Sequence, residues 1–163
     1  MRPTDNRTLP ASTATDRIQR LRHLSVVALF IALAAGVAEM IAHLWEAEDL
    51  SGEGPAILLR LGIYAVVAGL IHAFARGHRW AAVVLIVGLG VVGMASLIAE
   101  PLTWLFTDGD IGSLLATADA SITLIILIRI VHIAAVVVAV PLMIRILAII
   151  RRARLARPTE HST

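Results

Sequence analysis

Seven ionisable residues lie inside stretches that are otherwise almost pure hydrocarbon: Glu39 and His43, Arg60 and His72, Glu100, and Arg129 and His132. Two carboxylates, two guanidiniums and three imidazoles allow three kinds of chemistry. Opposite charges can pair, carboxyl and imidazole groups can take up and pass protons, and imidazoles can ligate haem iron or a metal. Each charge in such a place is costly, about 2.5–3.5 kcal/mol for Arg or Asp at the centre of a membrane helix, so its presence requires a reason.

Depth narrows the choice. At about 1.5 Å per residue, Glu39, Arg60 and Arg129 sit roughly 7–10 Å from the midpoints of their stretches, all toward the same face. Glu100 joins them if its helix extends to Phe106. The candidate polar layer is therefore Glu39, His43, Arg60, Glu100, Arg129 and His132. Arg129 lies too deep to reach either interface comfortably, and Glu39 is its expected counter-ion. A bland alternative stands beside this reading, because buried charge pairs also serve simply to set helix register and partner choice. Arg60 is close enough to a helix end to snorkel outward. Pro101 lacks a backbone donor and can end its helix at Glu100, which would make that residue an interfacial acid.

Cofactor chemistry is disfavoured. Axial haem ligation needs two histidines facing each other at one depth, whereas His43 and His132 differ by roughly 10 Å in depth at the helical rise. Glu39 and His43 are four apart with no second histidine in step, and the chain has no cysteine, so no cofactor or metal is expected. Gly88-Leu89-Gly90-Val91-Val92-Gly93 matches the dinucleotide fingerprint G-x-G-x-x-G. That fingerprint works only between a strand and a helix; within an apolar helix the glycines read as a close-packing surface. Asp108-Gly109-Asp110 is a turn, too short for a calcium loop.

The elements that must position these residues are legible from composition. Of 163 residues, 58% are hydrophobic and 16% charged, against about 45–50% and 25% in soluble domains. A hydrocarbon core about 30 Å thick takes about 20 helical residues to cross. Four stretches qualify, at about 24–45, 55–75, 80–106 and 120–150, and none alternates as a barrel strand would. The expected fold is all-α, a four-helix transmembrane bundle forming one domain over 21–150. A disordered tail over 1–20 precedes it and a basic tail over 151–163 follows. The first stretch is too long, and its leader too acidic, for a cleaved signal peptide.

Arginine placement orients the bundle. All 14 basic residues are Arg. Outside the spans they fall in the first tail, between spans two and three (Arg76 and Arg79), and from Arg145 onward. The other two connections carry acids instead: Glu46, Glu48, Asp49 and Glu53, then Asp108, Asp110 and Asp119. Positive charge marks the cytoplasmic side, so both ends are expected there, in an inner (cytoplasmic) membrane. The all-Arg usage and abundant Ala, Val and Leu suggest a GC-rich bacterial genome. The segregated charge argues for contact with anionic lipid rather than nucleic acid.

One face of the first span carries Ala28, Ala32, Gly36, Glu39 and His43 within about 80° at 100° per residue. Small residues there let another helix approach and shelter the carboxylate. Arg60, Tyr64 and Ala68 share a strip of span two, and Gly93, Ser96 and Glu100 share a face of span three. The functional expectation is a non-enzymatic membrane component, an accessory or structural subunit of a membrane complex, with the bilayer, a membrane protein partner or a second copy as its contacts. The alternative is a small transporter or channel using the Glu/Arg/His layer. A haem-bearing electron carrier comes third.

Overall fold

In hydrocarbon every backbone polar group must pair within its own segment, so long apolar runs fold as helices. The structure, a computed structural model, describes residues 11–46, 52, 54–95, 98–99, 103, 106 and 120–155 as helices and turns. Helix α1 spans Ala11–Glu46, α2 Gly54–Ala75, α3 Arg79–Val87 and α4 Ala120–Leu155. Three helical segments, Thr15–Trp45, Gly54–Ala75 and Thr123–Leu155, are long and apolar enough to cross a membrane; Arg79–Gly93 is a shorter apolar helix. The protein is thus an all-α, multi-pass membrane protein.

The helices form a ring. The long helices α1 and α4 pack along each other, α2 lies against α1 and α3, and α3 closes against α4. Glu39 meets Arg129 near one end of the α1–α4 contact, while Ala28 and Leu29 share a core with Ala139, Met143 and Ile146 further along. The two helices therefore run antiparallel. Ile71 and Phe74 of α2 and Ala81, Ala82 and Leu85 of α3 complete that core. It lies in the half of the bundle that holds the α2–α3 turn. A smaller cluster, Ala32, Ala135 and Val136, sits between it and the ion pair.

The α2–α3 turn has a local cause. After Ala75 the Gly77 N–H donates to the Phe74 carbonyl and the His78 N–H to Ala73, the two bonds of a Schellman ending. This requires a left-handed residue, supplied by Gly77 at φ 97°. A Cβ on Gly77 would lie 3.5 Å from Nη1 of Arg22, so the arginine side chain of α1 rests on the turn. Arg22, Arg76 and Arg79 consequently share one end of the bundle.

Two boundaries differ from expectation. Residues 11–20, expected in a disordered tail, are helical, because Ile18 and Leu21 continue the buried face of α1 and pack on the core. The fourth helix runs past 150 to Leu155, with Ile150 still against the core. Its last turn carries Arg152 and Arg154, favourable beside exposed helix carbonyls. The expected third span, 80–106, is described only in part. Glu100 and Ser96 lie outside the described residues, and Thr103 donates to the Ala99 carbonyl at 2.7 Å in helical register.

The glycine run forms a π-helical turn, Gly88–Gly93, continuing directly from α3. A Cβ on Gly90 would stand 3.1 Å from Cγ2 of Val140, next to the intrahelical Pro141. A wide helical turn set against a proline-bearing helix admits a Cβ there only if Val140 gives by a few tenths of an ångström. Gly88 has nothing within 4 Å. Gly90→Leu is therefore expected to destabilise the bundle by about 1–3 kcal/mol through overpacking. Gly88→Leu should be near neutral. Reversible unfolding of both variants in a mild detergent or bicelle checks the contrast.

Candidate functional site

Three helices converge at Gly36. The absence of a side chain there lets α2 and α4 approach together: an added Cβ would stand 3.3 Å from Cε1 of His132 and 3.4 Å from Cε1 of Tyr64. Because Tyr64 comes this close, its hydroxyl donates to the Gly36 carbonyl at 2.8 Å, bonding α2 to α1. A helix carbonyl has a second lone pair, so this bond need not displace the helical one.

One turn further along α1, Glu39 is buried. Arg129 of α4 donates to its Oε1 from both Nε, at 2.9 Å, and Nη2, at 2.6 Å. His43, four residues on, places Nε2 4.0 Å from the same oxygen. The helical repeat accounts for the match. Gly36 and Glu39 are three apart on α1, Arg129 and His132 are three apart on α4, and antiparallel packing faces one pair with the other. His132 therefore lies beside Gly36 as Arg129 lies beside Glu39. Its Nδ1 is buried and has no hydrogen-bond partner among the described residues.

The expected counter-ion pair, Glu39 and Arg129, is in direct contact, with His43 and His132 on either side. Arg60 is not brought in. It lies on an exposed stretch of α2 beside Leu58, Leu59 and Leu61 and makes no ion pair among the described residues. Depth placed it in the layer, but α2 reaches α1 through Tyr64, one turn further in on the same strip, and Arg60 stays exposed. His72 is also exposed. Sequence reasoning left Tyr64 out of the polar set, although its strip position and its status as the chain's one tyrosine were available signals.

The arrangement suits charge pairing and proton exchange better than metal binding. Among the described residues no three His, Asp or Glu side chains converge as a metal would require. The Asp108-Gly109-Asp110 turn lies outside the described residues. Comparison with protein families, curated proteins and solved structures finds no match for this chain.

The two charges are not equivalent when separated. A carboxyl group left alone in a low-dielectric site can shed its charge by binding a proton, whereas a guanidinium stays charged. Removing one partner of a buried pair typically costs about 3–5 kcal/mol. Glu39→Leu is expected to destabilise the bundle on that scale at all accessible pH values. Arg129→Leu should cost less, because a carboxyl can take up a proton where a guanidinium cannot lose one. The double variant should regain much of the loss. Unfolding free energies of the three variants measure this asymmetry.

Proposed function

We propose that the chain is a small, non-enzymatic carrier or channel of an inner membrane that binds a solute or ion at the Glu39–Arg129–His132 site. In this reading α3 and its continuation make the fourth crossing, and both termini are cytoplasmic. The observation that carries it is the buried Nδ1 of His132, without a hydrogen-bond partner among the described residues, beside a buried ion pair. A pair kept only to hold helices in register needs no additional buried polar atom, and one without a partner costs about 1–3 kcal/mol. Polar capacity beyond what pairing consumes points to a group that engages something else. Arginine segregation supports the orientation: Arg22, Arg76 and Arg79 meet at one end, as a cytoplasmic face requires.

A second reading, a non-catalytic subunit of a membrane assembly or a homo-oligomer, is favoured by α2. Leu58, Leu59, Leu61, Ile63 and Val66 are exposed along it, and Gly62 and Gly69 have nothing within 4 Å. Small residues in an open apolar face are where another membrane helix can pack closely.

Orientation is tested with alkaline phosphatase, which is active only after export. A fusion after Thr163 should be inactive and one after Asp110 active; the reverse pattern would overturn the assignment. The transport reading is tested by reconstitution into liposomes on a solid-supported membrane, challenged with jumps of pH, Na⁺, K⁺, chloride, an amino acid and a sugar. At least one jump should move charge above protein-free liposomes, and Glu39→Gln should cut that signal at least tenfold while remaining folded. Silence to every jump, together with recovery of a stoichiometric membrane partner after mild solubilisation, would favour the subunit reading instead.

A further inference from the structure

The site is graded along the bundle. His43 is three residues from Glu46, where α1 ends, roughly 5 Å along the helix at its standard rise. Its side chain is 43% exposed, against 20% for Arg129 and 11% for Glu39. Nδ1 of His132, one step further in, is buried. Among the described residues the next buried side chains inward are apolar. Ala32, Ala135 and Val136 come next, then Leu29, Ala139 and Met143, all buried. The next buried polar group on α1 is Ser25, whose hydroxyl is committed to the Leu21 carbonyl at 2.8 Å. From Gly36 to Ser25 is roughly 16 Å of helix.

Charge and space then restrict what the site can hold. Glu39 and Arg129 cancel each other, so a metal cation would have to displace Arg129 from Oε1 and an anion would have to displace Glu39. The rings of His132 and Tyr64 stand 3.3 and 3.4 Å from where a Cβ on Gly36 would lie, so the space over Gly36 is already taken. A proton needs no such volume. Among the described residues, the groups facing the site are Glu39 and His43 from α1, Tyr64 from α2 with Arg60 a turn further out, and Arg129 and His132 from α4. The described part of α3 brings only Arg79, at the opposite end. Arg129 keeps its proton under all ordinary conditions. The acceptors are therefore His43, Glu39 and His132.

We infer that the ligand of this site is a proton, and that it is reached only from the end of the bundle opposite the arginines. This deepens the carrier reading and rests on it. His43, at the exposed mouth, accepts the proton and hands it to the Glu39 carboxylate, which becomes a neutral acid while His43 returns to neutral imidazole. The net charge of the site rises from zero to plus one, carried by Arg129, and the electrostatic hold between Glu39 and Arg129 weakens. Glu39 then passes the proton to Nδ1 of His132 and is a carboxylate again. Only N–H and O–H bonds form and break. The apolar layer at Ala32 and Val136 seals the inner side, so onward release needs α1 and α4 to part there.

The absence of native cysteine makes access directly measurable. Single-cysteine chains His43→Cys, Ala135→Cys and Arg151→Cys are exposed to a membrane-impermeant maleimide in intact cells and in inverted vesicles. His43→Cys should label from the side opposite Arg151→Cys, and Ala135→Cys should be protected at least tenfold from both sides. In parallel, proteoliposomes with trapped pH dye and a potassium–valinomycin potential report proton uptake. Wild type should exceed protein-free liposomes, with Glu39→Gln and His132→Gln each at least tenfold slower and circular dichroism unchanged. Glu39→Gln keeps a hydrogen-bond acceptor for Arg129, so it guards against a merely unfolded variant. Labelling of His43→Cys from the Arg151 side, or wild-type proton rates in His132→Gln, would overturn the inference. If proton uptake equals that of protein-free liposomes but another solute jump moves charge, the proton assignment fails while the carrier reading stands. If nothing moves charge, both fail.

Discussion

Neither Glu39 nor Arg129 can be accommodated in hydrocarbon alone, and this requirement organises the half of the bundle that holds them. The guanidinium makes two hydrogen bonds to one carboxylate oxygen, which is possible only if α1 and α4 lie close at that level. Close approach in turn demands small residues, and Ala28, Ala32 and Gly36 on α1 meet Ala135 and Ala139 on α4 along the contact. The charge pair and the small-residue seam are thus one design: the seam brings the helices near enough for the pair to form, and the pair specifies the register in which the seam is satisfied. In lipid there is no solvent-driven force between helices, so packing and polar contacts of this kind carry the association.

The other half of the bundle is assembled differently. Around the α2–α3 turn the structure relies on larger apolar groups, Leu29, Ile71, Phe74, Leu85, Met143 and Ile146, which fill the space where all four helices meet. The Schellman ending at Gly77 and the Arg22 side chain lying on it fix the turn geometry from outside. One half holds the buried ion pair, the other a largely apolar core beneath the arginine-bearing turn.

Much of this is readable in the residues themselves. The long apolar helices follow from hydrocarbon thickness, the small-residue face of α1 from helical periodicity, and the Glu39–Arg129 partnership from two costly charges at one depth. The glycine run reads as a packing surface, and Gly90 against Val140 is one. What sequence could not supply is how far along α2 its packed strip extends. Arg60 and Tyr64 share one strip, in phase with Ile71, yet α2 reaches α1 through Tyr64 and leaves Arg60 exposed one turn further out, beside Leu58, Leu59 and Leu61. The start of α1 was hidden for a related reason. Ile18 and Leu21 continue its buried face, but they stand among Asp16, Arg17, Gln19, Arg20 and Arg22, so an average over the segment reads as polar. The π-helical turn depends on fit to α4, which no local preference encodes.

The central claim is that Glu39 and Arg129 are bound to each other inside the bilayer, with His132 beside them. Solid-state NMR on the full chain in lipid bilayers, with ¹⁵N in Arg129 and ¹³C in the Glu39 carboxyl, measures it most directly. A contact with Nη2 2.6 Å from Oε1 should give strong dipolar transfer between the labelled nitrogen and carbon. An Arg129 signal without transfer to Glu39 at neutral pH, in a folded bilayer sample, would contradict the account.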